Sequence, residues 1–171
     1  MLFQLFSIIS SALVGIAIIE VGGYFWHRWV EHEGAFGRVF VARHVHHHEV
    51  DYPVDKLRPN HAYKSAKSWS WYVMGASAAM LCYVALPRPY SVITIIAALV
   101  YAKFVTSYLH KAFHAPPRWL KGSARLQRLT YLHDIHHYKP VNFGITFFFM
   151  DRLFGTYSET IPKRAVSTFK A

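Results

Sequence analysis

Tyr131-Leu-His-Asp-Ile-His-His-Tyr138 and, far upstream, His44-Val-His-His-His48 carry the same pattern, H-x-x-H-H. Each is preceded by a spaced pair, His27 with His32 and His110 with His114. Ten of the twelve histidines fall into these four groups. That is the arrangement of a metal site. An α-helix turns about 100° per residue, so the three rings of H-x-x-H-H occupy one arc of about 100°. Such an arc brings two rings to one metal or shares three between neighbouring metals. His110 and His114, at i and i+4, point the same way. His27 and His32 are five apart, about 140° around a regular helix. They reach different metals, or the helix unwinds between them. One zinc takes three or four protein ligands; ten imidazoles suit two ions with about five each.

The surrounding sequence belongs to a membrane protein. Of 171 residues, 53% are apolar, 17% aromatic and 16% charged, whereas soluble domains carry about 25% charge. The length fits a single domain, residues 1–171. The formal charge of +10 reads as topology, because Lys and Arg collect on the cytoplasmic side. No basic stripe stands apart from the apolar segments, so nucleic acid is not an expected partner. The lone cysteine, Cys82, lies in an apolar run. It excludes an intrachain disulfide, a Cys-based zinc site and an iron–sulfur centre. The N-terminus lacks a basic n-region, so the first helix is expected to stay rather than be cleaved.

The expected fold is all-α: an integral membrane, multi-pass helical bundle of three to four spans, with a cytoplasmic histidine-rich helical cap that holds a dinuclear metal site. Spans are expected at 2–26, 69–86 and 90–109, the last two as a hairpin broken at Pro87-Arg-Pro89. The cap comprises 27–68 and 110–171. Seventeen of the nineteen basic residues fall in these cap segments, which puts all four histidine groups on the cytoplasmic face. Val141–Met150 is apolar but too short to span; it is expected as an interfacial or re-entrant element or as a wall over the metal site. Gly22-Gly23 either admits a neighbouring helix or loosens its own.

Around the ligands, Asn142 is a candidate to position water or a ligand ring, with capping or turn formation as the alternative. Asp134, Glu31 and Glu49 are candidates to accept N–H from ligand rings, with solvated charge as the alternative. His46 sits between expected ligands, but the repeat favours His44, His47 and His48. His61 reads as a polar loop residue. Glu20 is a functional-site candidate because a charge inside a span is costly. Lys103 is expected to snorkel or face the site. Asp151 with Arg152 is expected as a structural pair closing the fold. Trp69, Trp71 and Tyr72 suit an interfacial aromatic belt. Phe147–Phe149 suit core packing or the wall of a lipid channel.

Imidazole suits zinc, copper, iron and nickel alike. A cysteine-free, all-nitrogen site at a membrane face leans toward oxygen chemistry. Zinc has no redox chemistry and would be a substitute acquired on purification. His27-Arg-Trp-Val-Glu-His32, His44-Val-His-His47-His48, His110-Lys-Ala-Phe-His114 and His133-Asp-Ile-His136-His137 resemble the histidine boxes of the fatty acid hydroxylase/sterol desaturase superfamily. Asn142-Phe-Gly144 and Asp151-Arg-Leu-Phe-Gly-Thr156 resemble its closing motif. The resemblance implies a membrane-embedded di-iron enzyme that uses two iron ions, dioxygen and outside electrons. The short chain and the His27-Arg-Trp-Val start are also similar to bacterial β-carotene hydroxylases. The Phe-Gly-Thr ending departs from them and leans toward lipid or sterol hydroxylases.

The expected activity is therefore hydroxylation of a membrane-dissolved lipid: a fatty acyl lipid, a sterol-like lipid or a carotenoid. Position selectivity is expected from pocket depth rather than polar recognition. With no haem or iron–sulfur motif in the chain, electrons must come from a separate ferredoxin or cytochrome with its reductase. A desaturase acting at the same site is the nearest enzymatic rival. A non-enzymatic metal- or haem-binding membrane protein is the rival of another class.

Overall fold

The computed structural model describes residues 2–57, 69–118 and 122–161. His61 and the rest of 58–68 lie outside these residues, as does the Trp69 side chain. Every regular element among the described residues is helical. Helix α1, Leu2–Phe25, runs without a break into a wider π-helical turn, Trp26–His32. Helix α2, Arg38–His46, passes into a second wide turn, His47–Asp51. Helices α3, Trp69–Ala85, and α4, Tyr90–Tyr101, form the expected hairpin. A third wide turn, Ala102–Thr106, carries α4 into α5, Ser107–His114. Helix α6, Ala124–Tyr138, and the short α7, Phe149–Leu153, complete the order.

Two continuous helices are long and apolar enough to cross a bilayer: Leu2–His32, with a mean hydropathy of 2.3, and Tyr90–His114, with 1.8. They run on helically past the expected spans 2–26 and 90–109, to His32 and His114. The histidines at their ends are thus extensions of the apolar rods. α3 is shorter: its 17 residues rise about 25 Å, against a hydrocarbon core of about 30 Å. Leu13, Leu81 and Leu99 all point outward.

α1 and α4 pack side by side, and their contact depends on Gly15. A Cβ there would sit 2.4 Å from the Thr94 carbonyl oxygen and 3.0 Å from the Ala98 nitrogen. Thr94 Oγ1 donates across the same contact to the Ser11 carbonyl at 3.1 Å. The close approach is here rather than at Gly22-Gly23, where an added Cβ would find only ordinary contacts with Met74 and Trp71. At the cap, Ala112 and Phe113 of α5 pack against Leu126, Leu129, Leu132 and Ile135 of α6, with Phe148 closing the cluster. Ser123 caps α6, its Oγ accepting from Leu126 N at 3.3 Å. Phe148 therefore serves the core while Phe147 and Phe149 face outward.

Gly15→Ala should lower the stability of the detergent-solubilised protein by about 1–3 kcal/mol, the usual range for overpacking. Gly22→Ala should change it by less than about 0.5 kcal/mol. Paired thermal melts check both; equal melting temperatures would show that α1 and α4 are not held as described.

Candidate metal centre

The wide turns decide where the first histidines point. Through Trp26–His32 the backbone bonds run from i to i+5, as in Glu33 N–H to the Arg28 carbonyl at 3.0 Å. Residues five apart then lie nearly over one another. His27 and His32 come to a ring separation of 5.1 Å and face one site. The helix widens instead of placing them about 140° apart.

Ring nitrogens converge into two groups. His27, His32, His44, His48 and His136 form the first, and His47, His114, His133 and His137 the second; within each, one nitrogen per ring lies within 4.8 Å of all the others. His110 adjoins the second group, its ring 4.8 Å from His133 and 5.0 Å from His47. The groups touch: the His48 and His137 rings stack at 4.2 Å. All ten expected ligands are thus brought together. His46 is not among them; it is exposed, with Nε2 3.5 Å from Asp51 Oδ1.

The partition follows the arc of H-x-x-H-H. His44 and His48, at i and i+4, serve the first group, and His47 between them turns to the second. In the other box His133 and His137 serve the second group while His136 turns to the first. In the first group Nε2 atoms stand 2.9–3.2 Å apart, as in His44–His48 and His32–His136. In the second they stand 3.1–3.3 Å apart. Nitrogens about 2.1 Å from one metal lie about 3.0 Å apart at right angles and about 3.4 Å apart in a tetrahedron. The cages fit first-row ions.

What aims the nitrogens is mostly backbone. Nδ1–H of His27 donates to the Phe143 carbonyl at 2.7 Å, and that of His114 to Leu57 at 2.7 Å. His136 donates to Val141 at 2.8 Å and His137 to Tyr52 at 3.1 Å. A carbonyl only accepts, so Nδ1 carries the proton and Nε2 turns a lone pair inward. Tyr52 also stacks on His114 at 3.9 Å. None of these partners has a residue-type signature. Val141 and Phe143, in the apolar segment 141–150, thereby wall the first group, one of the roles expected for that segment.

Of the acidic candidates, Glu31 is buried with Oε2 3.7 Å from His44 Nδ1. Glu49 is exposed and Asp134 half-buried, its charge lying by Tyr138. Asn142 takes the turn-forming alternative. Its side chain donates to the Leu132 and Ser158 carbonyls and accepts from Ser158 N, and its φ of 54° is one that asparagine tolerates. Asp151 does close the fold, but not by pairing with Arg152. Its carboxylate accepts Phe143 N–H, Gly144 N–H and the Thr156 hydroxyl at 2.8–2.9 Å. Arg152 lies over the Tyr157 ring instead. A side chain at Gly144 would strike the Phe147 carbonyl at 2.2 Å, so only glycine fits between Asp151 and this turn. Lys103 is exposed.

The caged rings are buried, His32 and His48 partly so. Burial, then the charge its neighbours would carry, pushes His48 down to about 3. The same causes hold His44, His47, His133, His136 and His137 well below the ordinary imidazole value. Both His47 nitrogens and His133 Nδ1 are buried with no hydrogen-bond partner among the described residues. A metal ion would take up the unpaired His47 lone pair.

Each depressed ring binds a proton more readily in the unfolded chain, so stability rises with pH across the interval between the two values. Lowering the pH of chelator-treated protein from about 6.5 to about 5 should cost about 2 kcal/mol per ring. Melting temperature should fall steeply below pH 6.5 and stay flat from 7 to 8; a flat profile throughout would mean that the rings are solvated. Asp151→Asn should loosen the Phe143 carbonyl that holds His27. Metal affinity should weaken about 10–100-fold, the usual effect of disturbing a ligand's hydrogen-bond partner, as metal-competition titration would measure.

No curated protein matches this chain, and no solved structure does. The family model described as fatty acid hydroxylase matches residues 12–156. That span takes in all four histidine groups, the wall segment and the closing turn. With its boxes in the order and spacing set out above, the chain belongs to the fatty acid hydroxylase family, within the fatty acid hydroxylase/sterol desaturase superfamily.

Proposed function

We propose that this chain is an oxygen-dependent, di-iron hydroxylase of a membrane-dissolved lipid, supplied with electrons by a separate ferredoxin or cytochrome and its reductase. The observation that carries the reading is the pair of adjoining imidazole cages with nitrogens 2.9–3.3 Å apart. Two irons so held would supply the oxidation of an unactivated C–H bond by dioxygen. The chain's own residues do the rest. The Phe143, Val141, Leu57 and Tyr52 carbonyls fix ring direction. Burial keeps the ligands unprotonated at neutral pH. α6 and the 141–150 wall exclude water, which protects a strong oxidant from side reactions.

α1 and α4–α5 deliver their histidines at the ends of apolar rods. The substrate's apolar part therefore reaches the cages from the bilayer. The basic residues flanking these rods favour a cytoplasmic cap and a multi-pass chain with α3 as the third span. Fatty acyl lipids, sterol-like lipids and carotenoids all meet this description. A desaturase would use the same site. Bis-histidine haem needs facing rings with a planar macrocycle between them, and the cages leave no such gap.

The test is expression in a host supplied with candidate lipids and carotenoids under labelled dioxygen, read by mass spectrometry. Hydroxylation adds one labelled oxygen, whereas desaturation removes two hydrogens. His136→Ala should cut product at least about a hundredfold, more than a lost hydrogen-bond partner of a ligand would. His46→Ala should leave product within about twofold, as an exposed side chain outside both cages. Purified protein should bring about two irons per chain and no Soret band. Identical products from wild type and His136→Ala would end the enzymatic reading.

A further inference from the structure

A small recess lies beside α1, below the first cage, with about 20 Å³ open to a water-sized group. Gly23 and Tyr24 of α1, Trp71 of α3 and Phe143 form its apolar sides. Phe143 is also the wall of the cage: its carbonyl holds His27 and its ring lies 5.2 Å from that of His32. The recess has about the space one water occupies, so only a polar group the size of a hydroxyl enters and the rest of the lipid stays outside.

Two lining residues are out of place in apolar rods, Glu20 and Thr106. Glu20 accepts a hydrogen bond from the Tyr101 hydroxyl at 2.7 Å. Glu20 is seven residues before His27, two turns of one helix and about 10 Å along it. Thr106 Oγ1 is buried with no hydrogen-bond partner among the described residues. A helical threonine normally bonds the carbonyl four residues back, here that of Ala102. The wide turn gives that carbonyl to Ser107 instead: its N–H and its Oγ, at 2.8 Å, both donate there. A carbonyl has two lone pairs, so the turn leaves the Thr106 hydroxyl for something inside the recess.

We propose that this recess is the polar subsite of the substrate path and takes the hydroxyl group of a neutral lipid. The hydroxyl donates to the Glu20 carboxylate and accepts from Thr106 Oγ1–H. An ionised fatty acid is rejected there, because its carboxylate has no proton to offer the Glu20 oxygens. Selectivity then has a polar component besides depth. The subsite's place on a substrate path rests on the hydroxylase reading; the binding itself does not.

The test uses the full chain in lipid nanodiscs and three diazirine probes of equal length: a primary alcohol, a fatty acid and an alkane. After photolysis, labelled peptides are mapped by mass spectrometry. The alcohol should label the Trp71 and Ile145 peptides about tenfold more than either other probe, as expected for hydrogen bonding to a charged group. Thr106→Val should bring the alcohol-to-alkane ratio close to one, and Thr106→Ser should restore it. Glu20→Gln keeps an acceptor for Tyr101 and should admit the fatty acid. Equal labelling by all three probes, or an unchanged ratio in Thr106→Val, overturns the proposal. Labelling needs no turnover, so the two readings fail separately. Alcohol-selective labelling by a chain that never oxidises a lipid keeps the subsite and removes the hydroxylase. Oxidised product without selective labelling does the reverse.

Discussion

Three imidazoles on an arc of about 100° cannot all reach one ion without crowding, and the molecule turns that restriction into its architecture. In each H-x-x-H-H the outer two rings stack one turn apart and stay together, and the middle ring leaves for the neighbouring cage. α2 sends its pair to the first cage and its middle ring to the second; α6 does the opposite. Neither cage is complete without both helices. Their mutual position is thus set by ligand geometry as well as by the apolar contact between α5 and α6.

The wide turns extend the same logic to the long helices. A regular helix would place His27 and His32 on different sides. Closing bonds to i+5 across Trp26–His32 lines them up. The turn at Ala102–Thr106 has another effect, since it shifts carbonyl partners by one residue and frees a hydroxyl. Such turns pack less well than α-helix and persist where something is gained from them. Here each lies beside a cage or the recess below it.

How much of this could be read beforehand follows from which atoms carry the information. Imidazole is explicit in the residue type, so the gathering of ten histidines and the all-helical frame were readable from spacing. Their division between cages was not, because it depends on how two distant helices face each other. The backbone carbonyls that aim the rings were invisible because every residue has one. Gly22-Gly23 drew notice as a pair, yet the single Gly15 sits at the tightest contact. Asp151 next to Arg152 resembles an ion pair in one dimension. In three, α7 turns the carboxylate toward the Phe143 and Gly144 amides and the arginine toward Tyr157.

The apolar cluster of the cap is small for what it must hold in place, and much of the remaining interior is imidazole. Buried polar rings do not stabilise a fold in the way leucines do. Each must exchange water for a partner of equal quality. The chain provides that partner at the Nδ1 of several rings and withholds it from His47, whose two nitrogens meet only other side chains. A buried cage with depressed basicity cannot use protons to satisfy its lone pairs. A cation of another kind can, and its binding energy then counts as folding energy for the cap. The feature that would make the site favour metal over protons is therefore the one that would tie the cap's stability to the metal.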